Sequence, residues 1–294
     1  MVSQPSPKTE ATWITVLRLL RWDKPAGRLI LMIPALWAVF LAAAGTPPVL
    51  LVGVIVLGTL ATSAAGCVIN DLWDRNIDPK VQRTRNRPLA SRALSIKTGL
   101  VVAVVAFICA FFLARYLNPL SFWLCVIAVP VIVLYPLAKR VFPVPQLVLS
   151  VAWGFAVLIS WTAVTARLEL ATWLLWGATV LWTLGFDTIY AIPDRTYDQQ
   201  LGVRSSALFF GQRAPLAVGL CFAGTGLMLG LLGWHLGLNL AFWLTLAIAA
   251  GLWGWQYAQL NRYNPPGQLY GRLFRQNVSI GFVLLAGMII GCLR

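Results

Sequence analysis

The chain has 294 residues, 59% of them apolar, and only 11% carry a formal charge. Average soluble domains are about 45–50% apolar and about 25% charged, so a disordered chain, a coiled coil and an ordinary cytosolic enzyme are excluded. The apolar runs are long and continuous, not alternating stretches of about ten residues, which excludes a β-barrel. An all-α, polytopic membrane protein remains.

Met1–Glu10 is polar, and no small-residue cleavage site follows a short apolar run, so no secretory signal is expected. Residues 11–24 mix apolar and basic positions and predict an amphipathic interfacial helix. A spanning helix needs about 20 mostly apolar residues. Nine stretches satisfy this, at 26–44, 49–69, 98–116, 119–138, 145–165, 170–192, 214–234, 238–257 and 275–292. The expected organisation is a single domain over 1–294, with residues 25–294 forming a nine-helix bundle around a central cavity. Five cysteines (Cys67, Cys109, Cys125, Cys221, Cys292) lie in apolar segments without any CxxC or CxxH pair, and buried packing is expected for all of them. The tryptophans flank span ends, as in Trp22, Trp173, Trp234 and Trp243, where an aromatic belt forms. His235 falls in a short turn and reads as an interfacial polar residue.

Of the 23 basic residues, all but Arg115, Arg167 and Arg294 fall in the N-terminal region or in the connections after even-numbered spans. That asymmetry predicts a cytoplasmic N-terminus. It also predicts chemistry at the cytoplasmic face, because those connections are the long ones.

Six of the nine acidic residues fall in two short windows. The first, Asn70-Asp71-Leu-Trp-Asp74-Arg-Asn-Ile-Asp78, spaces its aspartates i, i+3, i+7. The second holds Asp187, Asp194 and Asp198, spaced i, i+7, i+11, with Pro193 as a bend. On continuous helices each set shares one face. Carboxylates so crowded at a membrane boundary require a compensating cation. Hard oxygens on a shared face suit Mg²⁺, which takes one or two carboxylates plus substrate phosphates. Basic and hydroxyl side chains follow each window: Lys80, Arg83, Arg85 and Arg87 after the first, Arg204 and Ser205 after the second, and Tyr135 with Lys139 at the end of the fourth span. Interleaved acids and bases at helical spacing point to a metal–diphosphate site. Two alternatives are helix caps salt-bridged to Arg75, Arg83 and Arg195, and an ion pathway. No chain of acids crosses the membrane, which counts against the pathway.

The sequence resembles the UbiA superfamily of intramembrane prenyltransferases over most of its length. The two Asp-rich motifs appear as Asn70–Asp78 and Asp194–Asp198, and a YxxxK motif as Tyr135–Lys139. Asp23-Lys24-Pro25, Arg83-Thr-Arg-Asn86-Arg87-Pro88-Leu89 and Leu208-Phe209-Phe210-Gly211 resemble the 4-hydroxybenzoate polyprenyltransferases of quinone biosynthesis. Departures are Arg195-Thr196-Tyr197 where relatives carry further acids, Arg92 at a glycine position, and Arg204 in place of a lysine. The resemblance implies transfer of a polyprenyl group from its diphosphate to 4-hydroxybenzoate, ortho to the phenol, on the way to ubiquinone or plastoquinone. Homogentisate, naphthoate, haem or chlorophyllide acceptors, or transport, are the alternatives.

It further implies Mg²⁺ held by Asp71, Asp74, Asp194 and Asp198. Lys139, Arg204, Ser205 and Arg83 would contact diphosphate, with Asn70, Asp78 and Tyr135 as further binding partners. Asp187 is a catalytic candidate for orienting the phenol or taking the ring proton. Arg21, Lys24 and Arg28 are candidates for the acceptor carboxylate. The expected partners are polyprenyl diphosphate, 4-hydroxybenzoate and the lipid bilayer, with no nucleic acid and no obligate protein. The expected location is a bacterial inner membrane, with the thylakoid membrane as the alternative.

Overall fold

A computed structural model describes residues 11–263 and 265–293. Lys8, Arg294 and the polar Met1–Glu10 segment lie outside them. The described residues form helices and turns, with no strand among them. A short helix, α1 (Thr12–Leu19), buries Leu19 and leaves Trp13 and the following Trp22 exposed, the pattern of an interfacial segment. It leads through an elbow into α2 (Ala26–Ala42), followed by α3 (Val49–Trp73), α4 (Ile96–Ala114) and α5 (Pro119–Leu134). After a 3₁₀ turn, Tyr135–Leu137, come the one-turn α6 (Ala138–Val141), α7 (Pro145–Thr165) and α8 (Leu170–Ala191). The short α9 (Arg195–Leu201) and α10 (Ser206–Phe210) precede α11 (Ala214–Leu236), α12 (Leu240–Leu260) and α13 (Gln268–Cys292).

Each of the nine apolar stretches is covered by helix. Among the described residues, six segments are long and apolar enough to cross a membrane: Val49–Trp73, Ile96–Ala114, Pro119–Val141, Pro145–Thr165, Ser206–Leu236 and Gln268–Cys292. The shorter α2 is also apolar. The Trp- and Thr-rich α8 and the Trp- and Gln-bearing α12 cover the remaining two stretches. The free cysteines only partly follow expectation: Cys221 is buried, but Cys109 faces outward on α4.

The bundle packs α8 against α7 and α11, α3 against α4, α2 against α7 and α13, and α12 against α13. Small residues allow close approach. A Cβ at Gly233 of α11 would lie 2.2 Å from the fully buried Phe242 ring of α12. Polar side chains add hydrogen bonds inside the bundle. Asn277 of α13 accepts from the indoles of Trp182 (2.9 Å) and Trp253 (3.1 Å) and donates to Gln256 (3.1 Å). This polar knot explains why α13 extends well beyond the apolar run 275–292: its first turns carry Arg272, Arg275 and Gln276, which an apolar-run reading passes over.

Candidate active site

The acidic windows do not lie on continuous helices, which corrects the shared-face expectation. In the first, α3 stops at Trp73, Asp74 caps it, and Asp78 opens a 3₁₀ turn with Pro79. In the second, α8 ends at Ala191, Pro193 sits in a 3₁₀ turn ending at Asp194, and Asp198 rides on α9. Proline removes a backbone donor and clashes with the preceding turn, so each helix breaks there. The acids are reunited by the connections that follow. Thr84 Oγ1 donates to the Asp78 carbonyl (3.0 Å), folding the first connection back. Gly202, in the left-handed region (φ 65°), reverses the chain after α9 so that the Arg204 amide donates to the Lys139 carbonyl (2.8 Å).

Both windows border one cavity of about 1,140 Å³. Asp74, Asp78, Asp187, Asp194 and Asp198 line its charged mouth together with Arg83, Lys139, Arg204 and Ser205. Asn70, Tyr135, Lys24, Arg21 and Arg28 line it too. From Asn70 back to Val54 along α3 the cavity wall turns apolar over about 24 Å of helix. Val129 and Ile132 of α5 and Leu149 and Ile159 of α7 face it.

The carboxylates meet cations from distant parts of the chain. Lys139 Nζ donates to Asp74 Oδ2. Arg83 forks onto Asp194, with Nε to Oδ2 at 3.0 Å, donates to the Tyr190 hydroxyl (2.7 Å), and lies 4.5 Å over the Tyr190 ring. Arg87 bridges Asp78 (2.8 Å) and Asp71 (3.2 Å), and Arg21 donates to Asp71 (2.6 Å). Arg204 reaches the Val141 carbonyl. The helix-cap alternative foresaw Arg83 as a partner, but Arg195 instead donates to the Gly211 carbonyl (2.8 Å).

Asp71 departs from its expected role. Among the described residues it is absent from the cavity wall and 1% exposed, held behind the mouth by Arg21 and Arg87. Asp74, three residues on, takes the cavity-facing position.

Burial pushes the Asp74 carboxyl above the usual carboxylate range, against the pull of Lys139. Burial also raises Asp198 to about 6, against a hydrogen bond from Ser205. For Arg83 burial alone would lower the pKa, but Tyr190 and Asp194 outweigh it and hold the group above its ordinary value.

No three Asp, Glu, His or Cys side chains form a ready-made metal cage among the described residues. The donor set nevertheless suits a hard cation. Asp74 Oδ1 and Asp71 Oδ2 are buried oxygens with no hydrogen-bonding partner among the described residues. A cation of the Mg²⁺ type draws its remaining ligands from phosphate and water, so a full protein cage is not required.

Two features of the site escaped the sequence reading. Tyr190 and Phe274 stack at 4.7 Å beside Asp187 and line the cavity; only their place near the second window hinted at it. Trp22, read as a belt residue, lies under the Arg28 guanidinium at 4.3 Å.

Residues 31–278 match the model of the UbiA prenyltransferase family. The chain is 66% identical over 293 residues to a 4-hydroxybenzoate solanesyltransferase from Synechocystis sp., covering 100% of both chains. Its fold is similar to a UbiA homologue from Aeropyrum pernix K1 (TM-score 0.78, 23% identity, covering 89% of this chain and 97% of that one). It is also similar to a UbiA homologue from Archaeoglobus fulgidus bound to GPP and Mg²⁺ (TM-score 0.70, 18% identity, covering 92% and 99%). A match over that much of the sequence, on a helical bundle with two acidic windows at one cavity mouth, places the chain in the UbiA prenyltransferase family.

Proposed function

We propose that the protein is a 4-hydroxybenzoate polyprenyltransferase of quinone biosynthesis. The observation that carries this reading is the single cavity, with carboxylates and cations at its mouth and an apolar wall about 24 Å long behind them. A diphosphate with a long hydrocarbon tail matches that division, and the Synechocystis relative supplies the acceptor and the polyprenyl donor class. The bundle forms one domain of nine spans, with its charged mouth at the cytoplasmic face, as the basic residues support.

Asp74, Asp194 and Asp198 would hold a divalent cation, Mg²⁺ by the chemistry of the donor set, with Asp71 behind them. When bound, such an ion draws off the negative charge that grows on the leaving diphosphate. Lys139, Arg83 and Arg204 neutralise the remaining phosphate oxygens, and Asn70, Ser205 and Tyr135 offer hydrogen bonds. The allylic C–O bond breaks with its electron pair leaving on diphosphate. The ring carbon ortho to the phenol forms the new C–C bond, and the proton on that carbon departs. Asp187, at the same wall, is placed to receive it. The faces of Tyr190 and Phe274 stabilise the developing allylic cation. The apolar wall keeps water from capturing it.

The test is incubation of purified protein with labelled polyprenyl diphosphate, Mg²⁺ and a panel of aromatic acceptors. Prenylated 4-hydroxybenzoate is expected. Product from another acceptor only would reassign the substrate, and no product from any acceptor would overturn the reading.

A further inference from the structure

Arg28, in the first turn of α2, is 3% exposed, and Nε, Nη1 and Nη2 all have no hydrogen-bonding partner among the described residues. The neighbouring cations are engaged: Arg21 with Asp71, Arg87 with Asp71 and Asp78, Lys139 with Asp74, and Arg83 with Asp194. A buried charge persists where something neutralises it and fills its donors. The nearby acid, Asp23, is exposed and makes no ion pair with it. The counter-ion is therefore a ligand, reached from the cavity that Arg28 lines.

The surroundings select its chemistry. Trp22 covers one guanidinium face at 4.3 Å, which leaves the edge, with its parallel N–H groups, to a flat bidentate anion. A Cβ at Gly27 would meet nothing within 4 Å, so there is room beside Arg28. The electrostatic neighbours of Arg28 are Cys67, Arg21 and Asp23, and none of the aspartates at the mouth. A diphosphate placed there would lack its metal-holding carboxylates, whereas a carboxylate needs none. Resting on the prenyl-transfer reading, we infer that Arg28 binds the carboxylate of the aromatic acceptor, with Trp22 as its positioning residue. Arg21 supports the arrangement from behind. Its backbone lies in the left-handed region (φ 60°), and its bond to Asp71 (2.6 Å) holds the elbow that brings Trp22 under the guanidinium.

The experiment compares 4-hydroxybenzoate with its neutral isostere 4-hydroxybenzamide, by turnover and by calorimetric titration of purified protein without prenyl donor. Wild type is expected to favour the acid. Arg28→Gln should raise KM for the acid by about 10²-fold or more and erase the preference over the amide, because a site built around a polar partner discriminates by that partner. KM for the prenyl diphosphate should stay within about threefold. Arg28→Lys, which folds more readily, should keep the preference but bind the acid about tenfold more weakly, because an ammonium offers no fork. Retained acid-over-amide discrimination in Arg28→Gln, or wild-type affinity in Arg28→Lys, would overturn the assignment while prenyl transfer stands. A rise in KM for the prenyl diphosphate alone would move Arg28 to the donor site and also overturn it. Wild type that prenylates no acceptor would instead sink the prenyl-transfer reading.

Discussion

Asp74 and Asp194 lie 120 residues apart in the chain yet border the same cavity mouth. If one metal–diphosphate group engages both, replacing either with the nearly isosteric Asn should remove the same interaction. Both carboxylates are largely withdrawn from water, with side-chain exposures of 4% for Asp74 and 13% for Asp194. Losing one preorganised electrostatic group in a dry site typically costs about 10²–10³ in rate. Independent sites would multiply to about 10⁴–10⁶ in the double variant, whereas groups acting as a unit leave it little worse than the worse single. The assay is product formation by Asp74→Asn, Asp194→Asn and the double variant in detergent, each checked for monodispersity. Multiplying losses, or near-normal turnover in either folded single variant, would refute the single-site reasoning. Asp71→Asn makes a contrast: it should lower thermal stability as well as turnover, because it strips a buried partner from Arg21 and Arg87.

Excess chelator should abolish turnover and Mg²⁺ or Mn²⁺ should restore it; full activity in chelator would eliminate the metal site. Arg83→Ala should raise KM for the prenyl diphosphate about 10–100-fold, the worth of a charge-assisted contact. It should also speed proteolysis within residues 74–95, because Arg83 ties that connection to Tyr190 and Asp194; unchanged cleavage would show that the tie does not order the loop. Gly233→Ala should destabilise the bundle by about 1–3 kcal/mol, because its Cβ would press on the buried Phe242 ring. A thermal scan in detergent reads this, and an unshifted transition would mean that α11 and α12 separate easily.

The nine apolar stretches, the interfacial segment before them and the two acidic windows were all legible in the sequence. Lipid demands about 20 apolar residues per crossing and punishes stray charge, so composition alone marks helices and the few sites where acids are worth keeping. What composition could not decide was direction. Helical spacing assigned Asp71, Asp74 and Asp78 to one face, but α3 ends between the first two, and only the fold shows Asp74 in the cavity wall with Asp71 bound behind it. Arg21, Lys24 and Arg28 were equivalent as a basic cluster. Tertiary structure separates them, because Asp71 approaches from α3 to occupy Arg21, Lys24 stays exposed, and Arg28 turns inward with its donors open. Apolar burial depends on runs of neighbouring residues, which a sequence displays. The pairing of a charge depends on which side chain arrives from 50 or 110 positions away, and helix packing alone sets that.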